Sequence, residues 1–190
     1  MLQGEGKGVK AAVSESAMTG GRRRQAVWGG TVAGLVGALV HAAFSLVADL
    51  VRGVDPWVAV KVAAYPMVGE KVMGPGFDLG PVLQGALAHL GIAVAWGVLF
   101  GIAAYGMTRA ATVGFGLIWG VLVWLGMFYF VLPLAGATVI LRGVPLLQTI
   151  GQHLVFGLAL GLGFLIYQRP IRRRPVWEQS VPFSGSLVEV

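Results

Sequence analysis

Three histidines, an aspartate and a serine are the residues of this chain whose types and spacing could do chemistry in an apolar setting. His89 stands eight residues after Pro81, and His153 eight residues after Pro145, in two stretches that repeat each other. In PVLQGALAHL (81–90) and PLLQTIGQHL (145–154), a proline, a leucine, a glutamine, the histidine and a closing leucine recur in order. His41 is followed at four-residue intervals by Ser45 and Asp49, which puts the three on one polar stripe of a helix.

Three chemistries are open to this set. The imidazoles could bond across helices as polar glue, at about 0.6 kcal/mol each. They could ligate. His89 and His153 would then be the two axial ligands of a b-type haem, with His41 beside them as a further cofactor-binding residue. Alternatively, His41, His89, His153 and Asp49 would hold a divalent metal, since imidazole suits zinc and copper. Finally, His41, Ser45 and Asp49 could form the outer half of a proton or ion path, although no acidic residue continues it through the inner halves of the spans. No nucleophile elbow, HExxH, P-loop or dinucleotide fingerprint is present, so no catalytic residue is assigned and the balance is against an enzyme.

The elements that must position these residues are set by composition. The chain is 190 residues, 56% hydrophobic and 12% charged, with a mean hydropathy of +0.79. Ordinary soluble domains are about 25% charged. A soluble core of this length cannot hide so much apolar surface, so lipid is the remaining solvent. The absence of cysteine removes disulfides, thiolate zinc sites, iron–sulfur clusters and covalently attached haem. The net charge of +6 lies mostly in Arg22–Arg24 and in Arg169, Arg172, Arg173 and Arg174, just outside the first and last apolar runs. Such clusters set topology and meet anionic headgroups. No nucleic-acid recognition motif accompanies them.

Four apolar runs are long enough to cross a bilayer: about 26–51, 82–105, 111–132 and 146–167. The first exceeds a signal-peptide core and is followed by no convincing cleavage site, so it reads as a retained span. The predicted organisation is a flexible basic tail over 1–25, a four-helix transmembrane domain over 26–167 and a basic tail over 168–190. The distribution of basic residues puts both tails in the cytoplasm and the loops 52–81 and 133–145 outside, in a bacterial inner membrane. In the first outer loop, Asp55 followed by Pro56 predicts a short interfacial helix that Pro66 ends or kinks.

The repeat predicts a duplicated helical hairpin. Both copies start and finish inside, so they are parallel-related, about an axis along the membrane normal. Spans two and four align by the Pro-Gln-His pattern. Spans one and three then place Gly30 and Gly34 on Gly116 and Gly120, with His41 on Met127. Every span carries a GxxxG pair: Gly30/Gly34, Gly97/Gly101, Gly116/Gly120 and Gly157/Gly161. Glycines one turn apart let backbones approach closely, which predicts a tightly packed inner half and a more open outer half. All three histidines fall about 12–13 Å from the outer helix ends, in one outer-leaflet layer. The aromatics of span three, Trp119, Trp124, Phe128, Tyr129 and Phe130, read as core or lipid-facing residues.

The basic start, the extended outer loop, the histidine early in span two and GQHLVFGL opening span four resemble the YagU-like group of uncharacterised bacterial inner-membrane proteins. The likeness covers about residues 22–170 and implies a multi-pass inner-membrane protein, with no chemistry to carry over. His41 and the sparsely charged loops depart from it. The expected fold is therefore all-α, with four transmembrane helices as two tandem parallel-related hairpins and a short interfacial helix. The expected function is a non-catalytic accessory or structural subunit of a larger membrane complex, an electron-transfer one if the histidine layer holds haem or metal. The alternative is a small stand-alone transporter or channel with an outward-facing polar cavity. The expected partners are the lipid bilayer and other membrane subunits or further copies of the chain.

Overall fold

Four helices long and apolar enough to cross a membrane dominate the chain, over Gly20–Val51, Leu79–Ala104, Arg109–Leu134 and Leu146–Phe164. The computed structural model describes the backbone of residues 5–142 and 145–168, and the side chains of 20–141 and 145–168. Among the described residues there is no strand. The elements are α1 (Glu5–Val51), α2 (Pro56–Lys61), α3 (Tyr65–Val68), α4 (Leu79–Ala104), α5 (Arg109–Gly126), α6 (Leu132–Leu134) and α7 (Leu146–Phe164), with short 3-10 turns between them. The fold is all-α and of membrane type, as composition predicts. The arginines of the C-terminal tail lie outside the described residues.

Helix α1 is longer than expected. The tail predicted to be flexible through residue 25 is helical from Glu5. Lys10, Ala11, Ala12, Glu15, Ala17 and Met18 are good helix formers. Once a stable span supplies the nucleus, adding turns costs little.

The two hairpins, α1 with α4 and α5 with α7, are each clamped by their glycines. A Cβ on Gly97 would lie 2.7 Å from the Gly34 Cα, and one on Gly101 would lie 2.9 Å from the Gly30 Cα. In the second hairpin, a Cβ on Gly157 would lie 2.8 Å from the Gly120 N, and Gly116 and Gly120 face the Gly157 and His153 carbonyls. All eight GxxxG glycines are thus at helix contacts. The contacts correct the alignment, however. Gly34 meets Ala93 as Gly116 meets Gly157, and Gly97 faces Gly30 as Gly161 faces Thr112. The register between spans one and three therefore moves by one turn: Gly34, not Gly30, is the counterpart of Gly116, and His41 corresponds to Val123.

The copies also join unequally. Helix α1 packs along α7, whereas α4 and α5 meet chiefly through large rings. Phe100 stacks on Phe115 at 5.6 Å, and Trp96 meets Trp119 edge-on at 6.1 Å. Phe100 and Phe164 are fully buried in the half of the bundle that holds the beginning of the first span and the end of the last, labelled inner here, the half toward loop 52–78 being labelled outer; Tyr129 and Phe130 point away from the bundle at 66% exposure each. Just before Pro133 the third span widens into a π-helical turn, Met127–Val131. Proline has no amide hydrogen to donate and crowds the preceding turn, so the helix dilates there.

The loop between α1 and α4 is a folded clasp. Asp55 caps α2 by accepting from Trp57 N at 2.8 Å, and it also accepts from Gly76 N at 2.7 Å, tying the two ends of the loop together. The helix gives way to a 3-10 turn at Val62, and Pro66 opens α3 instead of closing α2. The Gly76 amide, and then the Trp57 amide, hold the Asp55 carboxyl below its ordinary value of 3.8. A carboxylate depressed in the folded state contributes stability above its unfolded value and loses it as pH falls through the folded one. Hydrogen exchange should therefore show the Gly76 amide protected at neutral pH and released on acidification below that ordinary value. In Asp55→Ala it should be unprotected throughout, and retained protection in the variant would refute the tie.

Candidate functional site

The outer half of the α1–α7 contact is a polar ladder, built from two stripes that face each other. On α1 the stripe is His41, Ser45 and Asp49, with Arg52 just past the helix end; on α7 the facing residues are Gln148, Gln152 and His153. At the outer rung, Gln148 Nε2 donates to Asp49 Oδ1 at 2.9 Å. Arg52 donates to Gln148 Oε1 at 2.9 Å and to Asp49 at 3.3 Å. One turn inward, the Ser45 hydroxyl donates to Gln152 Oε1 at 3.0 Å. The innermost rung is aromatic: the His41 and His153 rings meet edge-on, with centroids 5.2 Å apart.

All three histidines gather at this depth, as their spacing predicts. The His41 ring also lies 5.2 Å from that of His89, so it contacts both repeat histidines. His153 is buried, at 8% exposure, and its Nδ1 is 2.7 Å from the Thr149 carbonyl of its own helix. His89 is half-buried, with Nε2 3.2 Å from the Ala38 carbonyl on α1. Interhelical glue thus describes His89, while His153 bonds within α7. His41 has neither kind of bond, and its Nδ1 is buried with no hydrogen-bond partner.

This geometry corrects both ligation readings. Axial haem ligation needs His89 and His153 opposed across an empty planar gap, at about 2 Å per metal–nitrogen bond. The His41 ring stands in contact with both instead, so these residues do not fit a haem between them. Nor do His41, His89, His153 and Asp49 form a metal cage. Asp49 lies eight residues beyond His41, about 12 Å along the helix, and is engaged by Gln148 and Arg52. Among the described residues no group of three histidine, aspartate or glutamate side chains converges to hold a metal.

The inner half is closed by backbone. Gly30, Gly34, Gly97 and Gly101 in one hairpin, and Gly116, Gly120, Gly157 and Gly161 in the other, bring helix backbones together. Below them Gln168 Nε2 donates to the Met107 carbonyl and Thr112 Oγ1, fastening the inner end of α7 to the α4–α5 turn. Trp124 Nε1 donates to Thr149 Oγ1 at 3.1 Å, joining α5 to the same face of α7. The Trp119 indole N–H is buried and unpartnered.

Gln148, Gln152 and Arg52 are the ladder members that sequence reasoning does not assign to the site. The signal was present in Gln148 and Gln152, four apart, mirroring Ser45 and Asp49. Gln84, which matches Gln148 in the repeat, is exposed on α4.

A family model, described as a family of unknown function (DUF6789), matches residues 24–174. The chain belongs to that family. Neither a curated protein nor a solved structure matches it.

Proposed function

We propose that this member of the DUF6789 family is a non-catalytic, proton-responsive subunit of a larger membrane assembly. It would span a bacterial inner membrane with both termini in the cytoplasm, the setting that its likeness in layout to the YagU-like group supports. One observation carries the reading. His41, with an unpartnered buried nitrogen, sits between His89 and His153 at the inner end of a polar ladder leading to the outer surface. Imidazole is the side chain whose unperturbed form changes charge in the physiological range, and ionisable groups inside membranes are functional-site candidates, proton relays among them. Asp49 and Arg52, bonded to each other, stand outward of the trio on the α1 side, and Lys61 packs against α4 at Gly85, one turn from His89. The rings belong to α1, α4 and α7, so protons shared among them set like charges on three helices at close quarters. The response is a change in helix spacing that an adjoining subunit can read. The glycine contacts leave the inner half without a polar continuation, which favours this over conduction.

Histidine-selective NMR of the protein in nanodiscs tests it, because the chain has only three histidines. The expected result is a pH-dependent change in the ring signals of all three histidines in wild type, with the response of His89 and His153 altered in His41→Leu. An identical pH response of those two rings in both proteins would reject a shared proton site. A stable partner on mild extraction supports the subunit reading, whereas proton flux through liposomes of the pure protein would support a stand-alone transporter. For the orientation, cysteines placed in loops 52–81 and 133–145 should react with impermeant reagents in intact cells, and cysteines in the tails should not. Labelling of the tails would reverse it.

A further inference from the structure

At the arginine-rich end of the bundle a groove of about 430 Å³ is lined by Gly21, Arg24, Gln25, Trp28 and Tyr167. We propose that it seats the headgroup of an anionic glycerophospholipid. The groove has a built floor. Gly29 has no side chain, and a Cβ there would lie 2.7 Å from the Tyr167 Cβ and 2.8 Å from the Phe164 ring; its absence lets the end of α7 close against α1. The Tyr105 hydroxyl donates to Gln25 Oε1 at 3.1 Å. That bond holds the Gln25 carboxamide in place and leaves its N–H donors for a ligand. Arg24 supplies the positive charge and the planar donor fork that suits phosphate oxygens.

Position identifies the source of that phosphate. The groove lies where the first membrane-spanning segment begins and the last one ends, which is headgroup depth. Trp28 is 57% exposed, and tryptophan and tyrosine favour this boundary. Ile166, next to Tyr167 in the chain, is 82% exposed, so apolar surface is available at the same depth. Arg22 and Arg23 add positive charge nearby without lining the groove. Basic sites between spans at such a surface bind anionic headgroups. A free phosphate ion would need no apolar flank.

Native mass spectrometry of the full chain, equilibrated with equimolar phosphatidylglycerol and phosphatidylcholine in detergent, tests the site. Wild type should retain phosphatidylglycerol preferentially. Arg24→Gln should lower that preference about tenfold or more, the factor expected for one hydrogen bond to a charged phosphate. Arg22→Gln removes the same charge beside the groove and should change the preference little. Millimolar inorganic phosphate should not displace the lipid. An equal loss in Arg22→Gln and Arg24→Gln would mean diffuse attraction, displacement by phosphate would mean an ion site, and absence of any preference would mean neither; each overturns the proposal. Arg24 is exposed, so its replacement leaves the packing of the bundle intact.

Discussion

Gly97→Leu and Gly157→Leu are expected to abolish the folded bundle, whereas Gly91→Leu and Gly114→Leu leave it intact. All four substitutions add the same side chain to a membrane helix. Only the first pair meets backbone. The added Cβ at Gly97 lies 2.7 Å from the Gly34 Cα, and at Gly157 it lies 2.8 Å from the Gly120 N. Backbone cannot rotate aside as a side chain can, so the helices must separate along the whole contact. Overpacking a core costs about 1–3 kcal/mol and occasionally more, and here the close-approach dispersion that replaces the hydrophobic drive between spans is lost as well. At Gly91 and Gly114 a Cβ meets nothing within 4 Å. Gly161 is graded between these: its Cβ would stand 3.2 Å from the Thr112 carbonyl, so Gly161→Ala should be milder than Gly157→Ala. Thermal unfolding in detergent gives the order. Equal tolerance at Gly91 and Gly97 would show that the hairpins are not clamped by these contacts.

Lys61→Met should open the outer loop while the spans stay folded. Lys61 is 2% exposed, and its ammonium donates to the Gly74 and Gly76 carbonyls. Methionine fills a similar volume but donates nothing, so two carbonyls lose their partner. Leaving a fully buried acceptor unsatisfied costs about 1–3 kcal/mol, and these two are partly buried, which puts the loss toward the lower end of that range. The loop has little to absorb that loss. Asp55 and Lys61 pin the same Gly74–Gly76 segment from two sides, and α4 receives the loop through Gly85, which lies beneath the Val60 carbonyl. Limited proteolysis should cut the variant within 52–81 at least tenfold faster than wild type, since about 1.4 kcal/mol corresponds to a factor of ten in an opening equilibrium. An unchanged cleavage rate would mean that the loop is held by its apolar contacts alone.

Much of the architecture follows from local rules. Four uninterrupted apolar runs of membrane length admit only helices, because every backbone group must be satisfied within its own segment. Asp55 before Pro56 starts a helix wherever the chain places it. The Pro-to-His offset puts His89 and His153 at equal depth, and the four-residue spacing puts His41, Ser45 and Asp49 on one stripe. These are properties of one helix at a time, and periodicity suffices for them.

What only the tertiary structure decided is which faces meet. Periodicity fixes the residues that share a face but leaves free the rotation of each helix and its choice of neighbour. The repeat makes α1–α7 and α4–α5 equivalent contacts in sequence, yet the first is a polar ladder and the second a wall of rings. Gln152 becomes visible as a partner only when α7 is turned toward Ser45. The one-turn shift between spans one and three arises likewise, because backbone fit between glycines, and not the matching of GxxxG letters, sets the register. The same fit brings His41 against both repeat histidines. That contact leaves one imidazole nitrogen buried without a partner.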